Sequence, residues 1–153
     1  MMYPKLSLIF SSKLRTYNVI KTKIGIEGYL FANPKINTQD KIALTKFRLS
    51  NHDLMIEKGR HFKIEKDKRF CPFCPEAIET EMHFLLHCNT FACLRRELFS
   101  IIRNKSNNFH YLCDLEKCIY LLSSEGTIRY VASFLQKSFE CRAFLLEKHK
   151  NSD

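Results

Sequence analysis

The sequence predicts a mainly α fold, a small multi-helix domain with a central Cys/His knuckle and a short irregular or β arm. Three observations carry that expectation. Gly and Pro number only 4 each in 153 residues, too few for a turn-dense β sandwich. Apolar residues recur at helical spacing through most of the second half. One short run, residues 71–88, holds three cysteines and two histidines. A chain of 153 residues suits one domain or two very small ones. Hydrophobic residues at 45% allow a modest core, and charged residues at 27% are ordinary for a globular protein. Collagenous, low-complexity and wholly disordered chains are excluded.

Residues 1–12 carry no strong pattern and are expected to form a flexible N-terminus. Residues 13–70 form a basic helical segment and arm. Leu14, Tyr17, Ile20, Ile24, Leu30 and Phe31 lie at helical spacing, and Gly25 and Gly28 break the stretch into two short helices. Asn33-Pro34 ends it. Thr38 is the expected N-cap of a helix over Gln39 to Leu49, with Ala43, Leu44 and Phe47 facing the core. Lys41, Lys46 and Arg48 then lie on a basic outer face. Ile56-Glu57-Lys58 and Ile64-Glu65-Lys66 echo each other, closed by Phe62 and Phe70. Eight residues is too short for a repeat architecture, so this stretch reads as the irregular or β arm.

Residues 71–103 hold the knuckle and a following helix. Thr80 caps a short helix from Glu81 to Cys88. A second helix runs from Thr90 to Ile102, with Leu94, Leu98 and Ile101 or Ile102 inside and Arg95, Arg96 and Arg103 outside. Residues 104–108 (Asn-Lys-Ser-Asn-Asn) are the clearest linker. Residues 109–153 form a C-terminal helical pair, Leu112 to Leu122 and Thr127 to Glu147. The second has the stripe Ile128, Val131, Leu135, Phe139 and Leu146, widened by Phe134 and Leu145.

Net charge is +9 and it is one-sided. Residues 1–70 carry 15 basic and 6 acidic side chains, residues 71–153 ten of each. Such a field suits a polyanion, nucleic acid before anionic membrane; a merely solvated basic surface is the plainer reading. In the arm, Lys58, Arg60, Lys63, Lys66, Lys68 and Arg69 interleave with His61, Phe62 and Phe70. Basic side chains neutralise phosphates and aromatic rings stack on exposed bases. The plainer reading has both phenylalanines in the core. No apolar run approaches a membrane span, and Leu6 to Phe10 is too short for a signal-peptide core. An intracellular protein of nucleus or cytoplasm is expected, with no membrane partner and no small-molecule substrate.

Seven cysteines, an odd number, fit poorly with a closed disulfide framework. The pattern Cys71-x2-Cys74-x8-His83-x4-Cys88 fits a zinc knuckle of CCHC type. Zinc takes four soft or borderline donors in a tetrahedron, and a C-x2-C turn lets two thiolates grip one ion. Pro72 and Pro75 stiffen that turn. His83 and Cys88 are five apart, about 140° off register on an α-helix. They meet at one ion only if the helix ends near Cys88. His87, four residues from His83, is the alternative fourth ligand. However, the 8 residues between Cys74 and His83 are fewer than the roughly 12 of a ββα finger, which favours Cys88. Four protein ligands close the shell, so one structural Zn2+ is expected rather than a catalytic one. Cys93, Cys113, Cys118 and Cys141 lack this spacing and read as small buried hydrophobes.

No enzyme signature appears: no P-loop, no G-x-S-x-G, no Tyr-x-Asp-Asp and no acidic set in metal-nuclease order. Asp114 and Glu116 read as surface charge. A non-enzymatic protein is therefore expected.

Several runs together carry a resemblance: Leu44-Thr45-Lys46-Phe47-Arg48-Leu49-Ser50-Asn51-His52, Ile56-Glu57-Lys58-Gly59-Arg60, Arg69-x-Cys71-x2-Cys74, and Glu79-Thr80-Glu81-x-His83-Phe84-Leu85-Leu86-x-Cys88. They resemble the C-terminal zinc-binding region of non-LTR (LINE-type) retrotransposon reverse transcriptase polyproteins. Lys13-Leu14-Arg15-Thr16-Tyr17 and Tyr120-Leu121-Leu122-Ser123 extend the likeness over about residues 13–145. The resemblance implies zinc ligation by Cys71, Cys74, His83 and Cys88. It also implies nucleic-acid binding that assists target-primed reverse transcription. The polymerase and endonuclease motifs are absent from this chain, so it implies a detached C-terminal module. That module either binds nucleic acid, RNA or single-stranded DNA first, or is a retroelement remnant that docks on a reverse transcriptase body.

Overall fold

The computed structural model describes residues 14–21, 27–31 and 35–151. The fold is mainly α, with one two-stranded sheet among the described residues. Two short helices, α1 (Arg15–Ile20) and α2 (Gly28–Phe31), stand where the two glycines predicted a broken segment. Lys13 and the 22–26 stretch lie outside the described residues.

Helix α3 (Thr38–Arg48) buries Ala43, Leu44 and Phe47 as expected. Its cap is Asn37 rather than Thr38. The Asn37 side chain accepts from the Asp40 backbone N–H at 2.8 Å, and Asn caps at least as well as Thr. Arg48, expected outside, is buried. It pairs with Glu27 at 3.0 Å and lies over the Tyr29 ring.

The arm is the main correction. Residues Met55–His61 form helix α4, followed by a 3₁₀ turn at Lys66–Lys68. The echo between the two triplets is not structural equivalence, because Ile56 is buried while Ile64 only half is. Helix α4 holds despite its glycine because Arg69 folds over Gly59, where an added Cβ would sit 2.7 Å from Arg69 Cγ. It ends in a Schellman motif, with Ile64 N–H donating to Gly59 O and Lys63 N–H to Arg60 O. Lys63 takes the left-handed conformation, φ 56°, that glycine usually fills.

Strands β1 (Phe70–Cys71) and β2 (Cys74–Ile78) pair antiparallel, with Cys71 opposite Cys74 and Phe70 opposite Ile78 across a bulge. Past a π turn at His83–His87 and a 3₁₀ turn at Asn89–Phe91, helix α5 (Ala92–Arg103) begins. At the linker, Lys105 and Ser106 N–H close on Ile102 O, and Phe109 then packs on Phe99 and Tyr120. Helix α6 (Asp114–Ser123) is capped by Cys113, and helix α7 (Ile128–Lys150) spans 23 residues.

Helix α7 lies along α3 and also covers α5 and α6. The core is continuous from Ile20 to Leu135. Its centre is aromatic: Phe84 of the π turn lies 4.7 Å from Phe139 of α7, 4.8 Å from Phe91 and 6.1 Å from Phe47 of α3. The knuckle is thus wired into the core. Two buried ion clusters hold the periphery. Arg15 bridges Glu57 at 2.9 Å and Glu81 at 3.0 Å, with His52 on Glu81. Arg142 holds Glu79 through two 2.8 Å bonds, and Glu79 also accepts from Met55 N–H. Among the described residues, no helix is long and apolar enough to cross a membrane.

Candidate metal centre and nucleic-acid interface

Two tight local structures build the centre. The β1–β2 turn, Cys71-Pro72-Phe73-Cys74, brings the first two thiols together because Cys71 and Cys74 are cross-strand partners. His83 and Cys88 come from the π turn. Thr80 opens it by accepting from His83 N–H at 3.0 Å. Cys88 N–H then donates to His83 O at 2.7 Å, an i to i+5 bond. That widened turn sets residues five apart over one another, which an α-turn cannot do. Cys88 leaves in extended conformation, ψ 120°. The helix ends at Cys88, as the spacing required.

The donor atoms of Cys71, Cys74, His83 and Cys88 all lie within 4.8 Å of one another and can hold a metal ion. Cys88 Sγ is 3.9 Å from both Cys71 Sγ and Cys74 Sγ. A disulfide needs about 2.05 Å, so these are free thiols. Cys71 and Cys88 are buried, and Cys74 and His83 half-buried. His83 Nε2 is buried without a hydrogen-bond partner in the protein. A buried imidazole nitrogen left unsatisfied costs free energy, and ligation of a metal removes that cost. Hydrogen bonding between Cys71 and Cys88 pushes the first thiol up and holds the second low.

His87 lies outside the cluster. Its Nε2 bonds to Asp114 Oδ2 at 2.6 Å, both side chains about half exposed. Asp114, read from sequence as plain surface charge, thus anchors the alternative ligand. Glu116 caps α6 by accepting from Cys113 N–H.

Arg95, expected outside, is buried and braces the ligand-bearing turn. It is only 7% exposed. It donates to Leu85 O at 2.9 Å, Phe84 O at 3.2 Å and Cys88 O at 2.7 Å, closing the open carbonyls of the π turn. Burial lowers its basicity, and the nearby Cys88 and Cys74 sulfurs favour its charge. The signal was present, since Arg95, Leu98 and Ile102 are spaced i, i+3, i+7 on the buried face. Among the remaining cysteines, Cys93 and Cys113 are exposed, against expectation, while Cys118 and Cys141 are half-buried. Burial pushes the Cys118 thiol up to about 12.

The basic residues of the arm separate into two groups. Lys58, Lys63, Lys66 and Lys68 are exposed. Lys68 meets Glu65 within its own turn. Arg60 is tied to Glu57 by bonds of 3.1 to 3.2 Å. Arg69 is half-buried and donates to Ile64 O at 2.9 Å and Ile56 O at 2.8 Å. It braces α4 and is not a free cation. Both arm phenylalanines face solvent rather than the core, Phe62 at 68% exposed and Phe70 at 45%.

No family model, curated protein or solved structure matches this chain.

Proposed function

We propose that the chain is a non-enzymatic nucleic-acid-binding module held by one structural zinc ion, similar to the C-terminal part of a retrotransposon reverse transcriptase polyprotein. The observation that carries the binding reading is the exposed cluster Lys58, Lys63, Lys66 and Lys68 flanked by exposed Phe62 and Phe70. Exposed large aromatics cost hydration, and next to exposed cations they suit the face of an unstacked base. RNA or single-stranded DNA is therefore favoured over duplex.

Zinc is the metal because the donor set is three thiolates and one imidazole. A tetrahedron with Zn–S of 2.3 Å has sulfurs about 3.8 Å apart. The two 3.9 Å separations fit that figure. All four positions are filled by protein, so no place remains for a reacting water, and the role is structural.

The test is fluorescence anisotropy of the full chain with a labelled 20-nucleotide single strand, RNA and DNA, across a salt series. Binding that weakens with salt, with a slope reduced in the Lys63→Ala/Lys66→Ala variant, supports the reading. No binding at low salt defeats it. The second reading, a protein-docking module on a polymerase body, is less favoured for a physical reason. The stripe of α7 (Ile128, Val131, Leu135) is buried, and among the described large apolar side chains of that helix only Phe144 is exposed.

A further inference from the structure

We infer that the groove between α3, α4 and α7 is the seat of one unstacked nucleotide of the bound strand. This rests on the nucleic-acid reading above and adds a defined subsite to it. The groove has a volume of about 630 Å³ and is open to solvent. That is ample for a base with its sugar and phosphate.

Its walls carry three kinds of group. Lys46 of α3 and Lys58 of α4 both line it, both exposed and neither with an ion-pair partner among the described residues. They are point charges for a phosphate. Phe62, at the end of α4, offers an open ring.

The floor carries the third group. The His52 side chain is 2% exposed and packs against both Phe47 (tilted, 5.5 Å) and Phe139 (6.3 Å). Its Nε2 lies 3.0 Å from a Glu81 carboxylate oxygen. Nδ1 is buried and has no hydrogen-bond partner among the described residues. A ring nitrogen buried without a partner is rare in a folded protein. Base edges and the ribose 2′-hydroxyl carry both donors and acceptors that can meet it. The groove therefore joins an unpartnered ring nitrogen to cations for the phosphate and a ring for the base face. The linear arm Lys63–Lys66–Lys68 lacks that combination.

The test uses the full zinc-loaded chain and the same labelled 20-nucleotide single strands, oligo(U) and oligo(dT). The variants are Phe62→Ala, Lys46→Ala and, outside the groove, Lys68→Ala. All three residues are exposed, so folding is checked simply by unchanged helical circular dichroism and zinc content. The expected result is a loss of at least about 5-fold in affinity for Phe62→Ala and for Lys46→Ala, with a smaller loss for Lys68→Ala. A strand carrying one 4-thiouridine should photocrosslink to peptides from 39–46 or 58–62. Wild-type binding with Phe62→Ala and Lys46→Ala both unaffected overturns the groove and leaves the binding reading standing. Equal losses for all three lysine and phenylalanine changes, with crosslinks scattered, show a diffuse basic surface and also overturn it. Absence of binding by the wild-type chain removes both.

Discussion

Stripping the metal should unfold far more than the knuckle. The sulfur separations of 3.9 Å leave three thiols held only by weak S–H contacts, with no disulfide between them, and His83 Nε2 without a partner. In the metal-free chain, the buried His83 nitrogen stays unsatisfied. The turn between Cys71 and Cys88 also supplies Phe84, Leu85 and Leu86 to the core, and Phe84 contacts three other core rings. Structural zinc sites contribute about 10–16 kcal/mol in small peptides. The whole stability of an ordinary domain is about 5–15 kcal/mol. Loss of the ion therefore exceeds or matches what the rest of the fold can supply. The assay is thermal and urea unfolding by circular dichroism, with metal content by native and denaturing mass spectrometry, before and after a strong chelator. One zinc per chain is expected, with loss of the cooperative transition on removal. Cys74→Ser should behave like the chelated protein. His87→Ala should keep its zinc, because His87 is held by Asp114. A metal-free chain that still melts cooperatively at the same temperature would refute the reasoning.

Three further outcomes follow from particular contacts. Arg142→Ala leaves Glu79, fully buried, with the Met55 N–H alone. Breaking one half of a buried pair costs about 3–5 kcal/mol, and a midpoint shift in urea below about 1 kcal/mol would contradict it. Lys63→Gly relieves the left-handed backbone at φ 56° and should raise stability by about 1 kcal/mol. The same change should weaken single-strand binding and lower its salt slope by about 1. A variant that gains stability with unchanged binding would separate Lys63 from the interface. Glu57 gives a pH signature. Burial alone would raise its carboxyl, but its bonds from Arg60 and Arg15 win and hold it below its usual 4.5. A lowered folded value means stability that is complete above 4.5 and is lost as pH falls through the folded value. The stability gap between wild type and Glu57→Gln should thus be largest at neutral pH and shrink under acid. A gap independent of pH would show that the carboxylate charge plays no part.

The parts of this fold that were legible in the sequence are those set by local physics. The ligand spacing of Cys71, Cys74, His83 and Cys88 required a helix that stops at Cys88, and the chain meets that demand with a π turn. The apolar stripes of α3, α5 and α7 were read correctly because burial follows a period of 3.6. The misreadings share one cause. Arg48 and Arg95 look like solvated charges, and both are buried, as is Arg142. Composition assigns a charge to the surface, whereas a guanidinium can go inside if carboxylates or carbonyls fill its donors. Those partners lie far off in sequence: Glu79 is 63 residues from Arg142, and Glu81 is 66 from Arg15. No local window shows them. Yet the positions are marked by geometry, since Arg95 and Arg142 each sit on their helix's apolar stripe. The arm failed for the opposite reason. Met55–His61 has a glycine and four polar or charged residues (Glu57, Lys58, Arg60, His61) among its seven, poor helix material on its own. It becomes helical because Arg15, Arg69 and Glu79 reach in from outside to satisfy Glu57, Ile56 and Met55. Which cations of the basic surface are open to a partner therefore depends on which ones the fold has already claimed. Arg60 and Arg69 are claimed, whereas Lys46, Lys58 and Lys63 are exposed.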